Sequence, residues 1–349
     1  MLARGAKNPD ARYDHQPVQR EVDRNAALDF AKGVLVLFMV LYHWINYFVS
    51  TEGFFYRYIR FVTPSFIFIT GFLVTNVYLA KYGKSGYPAT KRLLQRGAKL
   101  LLLFTCLNIL ANLVVTRNYN ARALGLDSFF RNAPSIYTTG MGEAAAFEIL
   151  VPIAYLLLIS PLALLASRRF KYALHAMCLL LFLAVLILGL QDISSYNLDL
   201  LAVGSLGSIV GYVPAEAFNR LAKQLGWIVA VYIVYLVVIT IWGAAYPLQI
   251  VGVCLSVLLI YCVGVCCGDK GIAQRHVILL GKYSLLAYVA QIAMLQLLRR
   301  ILPGASPGSS NYVVSFISSF ALTSGVVVIV DRLRMRSKII DWHYRLVFC

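Results

Sequence analysis

Three ionisable residues, Asp29, Lys32 and His43, interrupt a run that is otherwise apolar enough for lipid. Charged side chains cost several kcal/mol near the centre of a bilayer, so we expect these residues to face the interior of a helical bundle. On an α-helix, Lys32 and His43 differ by about 20° in direction and lie about 16 Å apart along the axis, with Asp29 about 60° from Lys32. The spacing predicts one helix with a polar stripe that runs from one membrane face to beyond its middle.

His43 has the most versatile chemistry in this stripe. A neutral imidazole acts as a general base near neutral pH and can also accept an acyl group as a nucleophile. The alternative is a histidine that only makes a hydrogen bond inside the bundle. Asp29 and Lys32 favour a functional role, because a structural histidine needs no such stripe. We predict that His43 is catalytic and that Asp29 orients it or balances its charge.

Lys32 and a basic stripe that begins at Arg92 are the predicted anion-binding residues. Lys32 either forms an ion pair with Asp29, three residues earlier, or binds a phosphate that arrives from the cytoplasm. Arg92, Arg96 and Lys99 fall on one helical face at the start of a later apolar run. Such a stripe can simply set membrane topology, or it can bind a ligand that is rich in phosphate.

Four further residues are weaker candidates. Glu148 lies near the outer end of a predicted span, where its carboxylate could orient an imidazole, bind sugar hydroxyls or remain an interfacial acid. Arg60 lies in the first outer segment. Tyr288 and Gln291 continue a polar helical stripe from Ser284, which is typical of hydrogen bonds between helices or of a cavity wall.

The composition places the chain in a membrane. Its mean hydropathy is +0.73, and it is 60% hydrophobic and only 13% charged, which excludes the usual soluble classes. The net charge of +17 could suggest nucleic acid, but 23 Lys and Arg residues lie in alternate short segments and only seven in the segments between them. This distribution predicts two cytoplasmic termini and no nucleic-acid partner.

The predicted fold class is all-α, a polytopic integral membrane protein of about ten transmembrane helices. The predicted spans cover residues 26–49, 58–80, 92–115, 145–166, 171–190, 198–213, 226–244, 247–267, 277–298 and 311–330. Residues 26–330 thus form one membrane domain. Residues 1–25 are interpreted as a cytoplasmic tail and residues 331–349 as a basic interfacial helix.

Two segments leave alternatives open. The sixth span contains Gly204, Gly207 and Gly211, which favour close helix packing or a re-entrant segment. The outer loop 116–144 either covers an outward-facing site or is a solvated connector. The seven cysteines have no His or acidic companions at metal-binding spacing, so no metal site is predicted.

Several stretches together resemble the acyltransferase-3 family of transmembrane acyltransferases. The stretch from Leu28 to Gly33 resembles its Leu-Asp-x-x-Arg-Gly pattern, and the ten residues between Lys32 and His43 match its Arg/Lys-x10-His motif. Further similar segments are Thr63 to Phe72, Lys91 to Arg96, and Leu280 to Gln291, where Gln291 replaces a common histidine. The stretches around Glu148 and from Asn197 to Gly211 resemble the osmoregulated-glucan succinyltransferase branch.

The resemblance spans about residues 24–330 and implies a ten-helix enzyme that uses acyl-CoA, chiefly acetyl-CoA, from the cytoplasmic side. It implies that Lys32, Arg92 and Arg96 bind the CoA phosphates, and that His43 is the base or the acyl carrier. The predicted function is O-acylation, by acetyl or succinyl groups, of a carbohydrate or glycolipid of the cell envelope at the inner membrane. Arg60, Tyr288 and Gln291 are assigned to this acceptor, and Glu148 joins Asp29 as a charge-balancing residue.

Two other interpretations remain open at this point. A transporter or flippase for a glycan or lipid-linked sugar would also have about ten spans and a polar stripe, although the chain shows no internal repeat. An inactive relative is the second, because Gln291 replaces histidine. The expected partners are the lipid bilayer and the acceptor, and a homo-oligomer is left open.

Overall fold

The apolar runs form long helices in a computed structural model that describes residues 25–49, 55–79, 86–114, 117–119, 122–142, 146–243, 245–268, 271–302 and 309–348. The elements are α1 (Ala26–Phe48), α2 (Tyr56–Ile59), α3 (Val62–Leu73) with a π-helix (Val74–Leu79), α4 (Gly86–Val114), β1 (Arg117–Tyr119), β2 (Arg122–Leu124), α5 (Leu126–Thr138), α6 (Leu150–Arg169), α7 (Ala173–Leu190), α8 (Tyr196–Val210), α9 (Ala215–Ala222), α10 (Leu225–Trp242), α11 (Tyr246–Cys267), α12 (Ile272–Lys282), α13 (Ser284–Ile301), α14 (Ser310–Arg336) and α15 (Lys338–Phe348).

Eight helices of the described chain are long and apolar enough to cross a membrane, and the number rises to ten if each of two bent helix pairs counts as one span. This confirms the prediction of an all-α polytopic membrane protein. The predicted tail 1–25 lies outside the described residues, except for Asn25. The side chain of Asn25 caps α1 by accepting a hydrogen bond from the Leu28 amide at 3.1 Å.

Helix α1 lies at the centre of the bundle, where it contacts α2, α3, α11, α12, α13 and α14. Its closest neighbour is α12, and glycines make this approach feasible. A Cβ atom on Gly33 would overlap the Val277 carbonyl, and one on Gly281 would overlap the Asp29 carbonyl. Small residues at such a crossing let two backbones meet and gain dispersion contacts.

Helices α3 and α8 form a second close crossing. A Cβ atom on Gly207 would overlap the Phe68 carbonyl oxygen, one on Gly211 would overlap Thr75, and Gly71 lies against the backbone of Gly204. The predicted close packing of the glycine-rich sixth span is therefore confirmed. Beyond Val210 the chain turns sharply, since α8 and α9 meet at 91°.

The ninth predicted span differs in shape from the prediction. One straight helix was expected over residues 277–298, but α12 and α13 meet at 91° around Tyr283. The Tyr283 backbone, with φ −109° and ψ 27°, leaves the helical region. Its hydroxyl donates a hydrogen bond to Asp331 Oδ1 at 2.6 Å, so a tertiary contact with α14 holds the bend.

The loop 116–144, which was predicted to be external, contains regular structure in its described residues. Strands β1 and β2 pair antiparallel, and α5 buries Phe129 and Ile136 against the bundle. The Asn197 side-chain amide donates to the carbonyls of Ile136 and Tyr137 at 3.1 and 3.2 Å. The described part of this loop is therefore packed on α8 and is more than a solvated connector.

Candidate functional site

A cavity of about 420 Å³ lies among α3, α4, α6, α13 and α15. Its wall along α3 and the following π-helix runs from Phe66 to Tyr78, which corresponds to about 18 Å. Most of the lining is apolar. The polar lining includes a group of cations from α4 and, on α13, Ser284 and Tyr288.

The cations of this cavity are Arg92, Arg96 and Lys99. They project to one cavity because they recur every three to four residues along α4. The Arg96 guanidinium also lies over an aromatic ring, with its Cζ atom 5.8 Å from the centroid of Tyr78. The predicted common face of these three residues is confirmed, and it makes this part of the cavity wall positively charged.

The same cavity approaches His43 through Tyr288. The Tyr288 side chain lines the cavity, and its ring centroid is 6.3 Å from that of His43. The His43 ring is half-buried and packs edge-on against Tyr42, with centroids 5.2 Å apart. One cavity therefore extends from three cations to the immediate neighbour of the imidazole.

Several tyrosines lie around His43 and Tyr288. We call Tyr42, Tyr56, Tyr196 and Tyr288 the tyrosine cluster. The hydroxyls of Tyr42 and Tyr56 form a hydrogen bond. Tyr196 and Tyr288 interact electrostatically with each other, and each also interacts with Glu148. The cluster thus joins α1, α2, α8 and α13 in one polar region inside an apolar bundle.

Glu148 and Arg60 both belong to this region. Glu148 is half-buried and lies just before α6, close enough to Tyr196 and Tyr288 for electrostatic interaction. The Arg60 guanidinium interacts with Tyr196 and lies 5.9 Å from the ring centroid of Tyr56. The structure therefore brings Glu148, Arg60 and Tyr288 together around Tyr196.

Asp29 and Lys32 lie elsewhere. Their side chains form an ion pair at 2.5 Å and are only 6% and 17% exposed. Asp29 is about 21 Å from His43 along α1. Neither residue is among the described residues that line the cavity. The ion-pair alternative for Lys32 is the one observed, and Asp29 is too far away for direct contact with the His43 ring.

Gln291 is fully buried on α13, one turn beyond Tyr288. Neither atom of its side-chain amide has a hydrogen-bond partner within the part of the chain that the structure describes. Of the predicted stripe on this helix, Ser284 and Tyr288 line the cavity and Gln291 does not. The residues described also contain no group of three or more His, Cys, Asp or Glu side chains that could hold a metal ion.

Tyr42 and Tyr196 are the site residues that the sequence did not single out. Tyr42 directly precedes His43 and could have been noticed for that reason. Tyr196 is the first residue of α8, and nothing in its local sequence connects it with α1.

The geometry can be compared with known proteins. No curated protein matches the chain. A family model described as an acyltransferase domain, that of the acyltransferase-3 family, matches residues 25–332. These residues include the cations of the cavity, His43 and the tyrosine cluster, whereas Val347 and Phe348, which also line the cavity, lie beyond them. The chain is therefore a membrane acyltransferase that belongs to the acyltransferase-3 family.

Proposed function

We propose that this membrane acyltransferase moves an acetyl or succinyl group from acyl-CoA to a hydroxyl of a carbohydrate or glycolipid in the cell envelope. The observation that carries the proposal is a single cavity lined both by three cations and by Tyr288, the neighbour of His43. A donor that is anionic at one end and reactive at the other matches this arrangement.

The donor end is the cationic end. CoA carries several phosphate groups on its nucleotide, and guanidinium groups bind phosphate with charge-assisted hydrogen bonds. Arg92, Arg96 and Lys99 supply that charge. The apolar wall between them and Tyr288 suits the long arm of the donor. Because positive segments face the cytoplasm in membrane proteins, we assign this end, and both termini, to the cytoplasmic side.

The chemistry belongs to His43. In one route the acceptor hydroxyl oxygen attacks the thioester carbonyl, the carbon–sulfur bond breaks, and His43 passes the hydroxyl proton to the departing CoA thiolate. In the other route a His43 ring nitrogen attacks first, CoA leaves as the thiol, and the acyl-imidazole then transfers its acyl group to the hydroxyl. Both routes consume one acyl-CoA and one hydroxyl and release one ester and one CoA.

The acceptor is assigned to the tyrosine cluster. Sugars offer hydroxyl groups and apolar ring faces, which bind to carboxylates, phenols and aromatic rings. Glu148 and Arg60 provide the charged groups beside Tyr196, and Tyr288 lies between this region and the cavity. An acceptor bound there approaches His43 from the side opposite the cations.

The decisive experiment measures acyl transfer by purified protein in lipid nanodiscs. Labelled acetyl-CoA or succinyl-CoA is supplied with envelope oligosaccharides, and the ester product and free CoA are quantified by mass spectrometry. We expect His43→Ala to lower kcat about a thousandfold, the usual range for loss of a general base or nucleophile. His276→Ala, which replaces an exposed histidine on α12, is the matched control.

Undiminished transfer by a folded His43→Ala variant contradicts the assignment. Transport is measured with the protein reconstituted in liposomes. If a glycan crosses the liposome membrane without release of CoA, the protein is a transporter and the proposed enzyme activity is wrong. The two routes separate when acceptor is omitted: a stoichiometric burst of CoA and an acylated peptide containing His43 identify the acyl carrier, and their absence identifies the base.

A further inference from the structure

Helix α15 contributes to the cavity although it lies beyond the residues that match the family. The match ends at residue 332, whereas α15 covers Lys338–Phe348. Val347 and Phe348 nevertheless line the same cavity as Arg92, Arg96 and Lys99. The wall of the candidate donor site therefore includes an element that the family-matched residues do not supply. The interpretation of this tail as a purely interfacial helix is incomplete.

Arg334 holds α15 in position. Its guanidinium donates from Nε to Asp341 Oδ1 at 2.9 Å and from Nη1 to the Tyr283 hydroxyl at 3.0 Å. Its Cζ atom lies 3.8 Å from the ring centroid of Tyr344. The hydrogen bond from Arg334 lowers the pKa of Asp341 below its ordinary value of 3.8, so the carboxylate remains charged at neutral pH. These contacts fix α15 to the bend between α12 and α13.

The inward face of α15 is aromatic. Tyr344 and Phe348 are one turn apart, and their rings stack with centroids 5.1 Å apart and an interplanar angle of 24°. Tyr344 also packs edge-on against Tyr283, which directly precedes the cavity residue Ser284. Trp342 points away and is 60% exposed. Phe348 is thus held beside the bend, where it lines the same cavity as Ser284.

We propose that Phe348 binds the planar base of the donor nucleotide, while Arg92, Arg96 and Lys99 bind its phosphates. This inference rests on the proposed function, because it takes acyl-CoA as the donor. In acyl-CoA the purine lies at the end of the molecule opposite the thioester, beside the phosphates. An aromatic ring and three cations in the wall of one cavity offer a matching pair of contacts. Stacking of a base on an aromatic side chain tolerates either face of the base and requires only a planar partner.

The test compares a complete donor with one that lacks the nucleotide. We expect Phe348→Ala to raise KM for acyl-CoA about tenfold, in line with the usual energy of base stacking, and to leave KM for acyl-pantetheine unchanged. Phe348→Trp retains a planar ring and is expected to keep the wild-type KM for acyl-CoA. Trp342→Ala, on the exposed face of the same helix, is the matched control.

A direct binding measurement separates this inference from the proposed function. Titration of the nanodisc-embedded protein with CoA itself needs no turnover, and Phe348→Ala should weaken binding by the same factor as it raises KM. If wild-type protein does not bind CoA, the proposed donor is wrong. If wild-type and Phe348→Ala proteins bind CoA equally, or if KM rises equally for acyl-CoA and acyl-pantetheine, the donor stands and the role of Phe348 is overturned.

Discussion

At the scale of single residues, the polar groups of α1 lie in two different environments. His43 is placed beside Tyr288 and the cavity, whereas Lys32 is paired with Asp29 near the start of the helix. A lysine and a carboxylate that are both mostly buried stabilise one another and lose this stabilisation when one partner is removed. The cations that meet the cavity come from α4 instead. We therefore separate a structural ion pair from a ligand-binding set.

This separation predicts that one cation-to-alanine variant loses stability and that another loses affinity for acyl-CoA. Lys32→Ala is expected to destabilise the folded protein by about 3 kcal/mol, because a mostly buried carboxylate loses its lysine partner, without a change in KM for acyl-CoA. Arg96→Ala is expected to raise that KM about tenfold with little loss of stability. Thermal unfolding in nanodiscs and steady-state kinetics measure the two quantities.

Two further variants serve as controls. Lys91→Ala removes an exposed neighbour of Arg92 that is not among the described cavity residues. It should change neither the stability of the protein nor its KM for acyl-CoA. The double variant Asp29→Asn, Lys32→Met removes both charges together and should recover most of the stability. If Lys32→Ala instead raises KM for acyl-CoA, Lys32 contributes to donor binding.

At the scale of elements, close helix crossings position the site. The α3–α8 crossing carries the cavity wall on α3 and Tyr196 at the start of α8. The α1–α12 crossing sets the depth of His43 relative to α13, because α12 and α13 are joined at the bend. Both crossings depend on glycines at which a side chain would meet the partner backbone.

A pair of glycine-to-alanine substitutions tests this dependence. Gly207→Ala places a methyl group against the Phe68 carbonyl oxygen and is expected to cost about 1–3 kcal/mol through overpacking. Gly189→Ala, in α7, meets no atom within 4 Å and is expected to be neutral or slightly stabilising, because alanine favours a helix over glycine. Thermal unfolding of both proteins provides the measurement, and equal stability would show that α8 can shift without cost.

At the scale of the whole molecule, the two bent pairs determine the topology. If both cross the membrane the chain has ten spans, and if neither does it has eight. Either even number places the two termini on one side. Of these two arrangements, only the one with ten spans places Arg220, in the last turn of α9, and Lys223, just after it, on the same side as the other basic segments.

We accordingly predict ten crossings, and labelling of single cysteines checks this number. In a cysteine-free background, Gln191→Cys precedes the first bent pair and Lys223→Cys follows it, and both side chains are exposed. A membrane-impermeant maleimide should label residue 191 in intact cells and residue 223 only after the membrane is opened. Labelling of both residues from outside would mean that α8 and α9 form a re-entrant structure.

The sequence predicted what depends on local periodicity and missed what depends on distant partners. The shared face of Arg92, Arg96 and Lys99 follows from a spacing of three to four residues, and α4 has that face. The bend at Tyr283 was unreadable, because the partners of its hydroxyl, Asp331 and Arg334, lie 48 and 51 residues later. Tyr196 likewise reaches the site only through the packing of α8 on α3. The contribution of Phe348 depends on the folded position of α15.

The crossing of α1 with α12 has a consequence for biosynthesis. Gly33 and Gly281 are 248 residues apart, so at about 5–20 residues per second a ribosome needs about 12–50 s to supply the partner of α1 after making it. During that time the Asp29 side of the helix lacks its contacts with α12. The Asp29–Lys32 pair forms within one helical turn and requires no later segment. It keeps the nascent first helix close to neutral until the rest of the chain arrives.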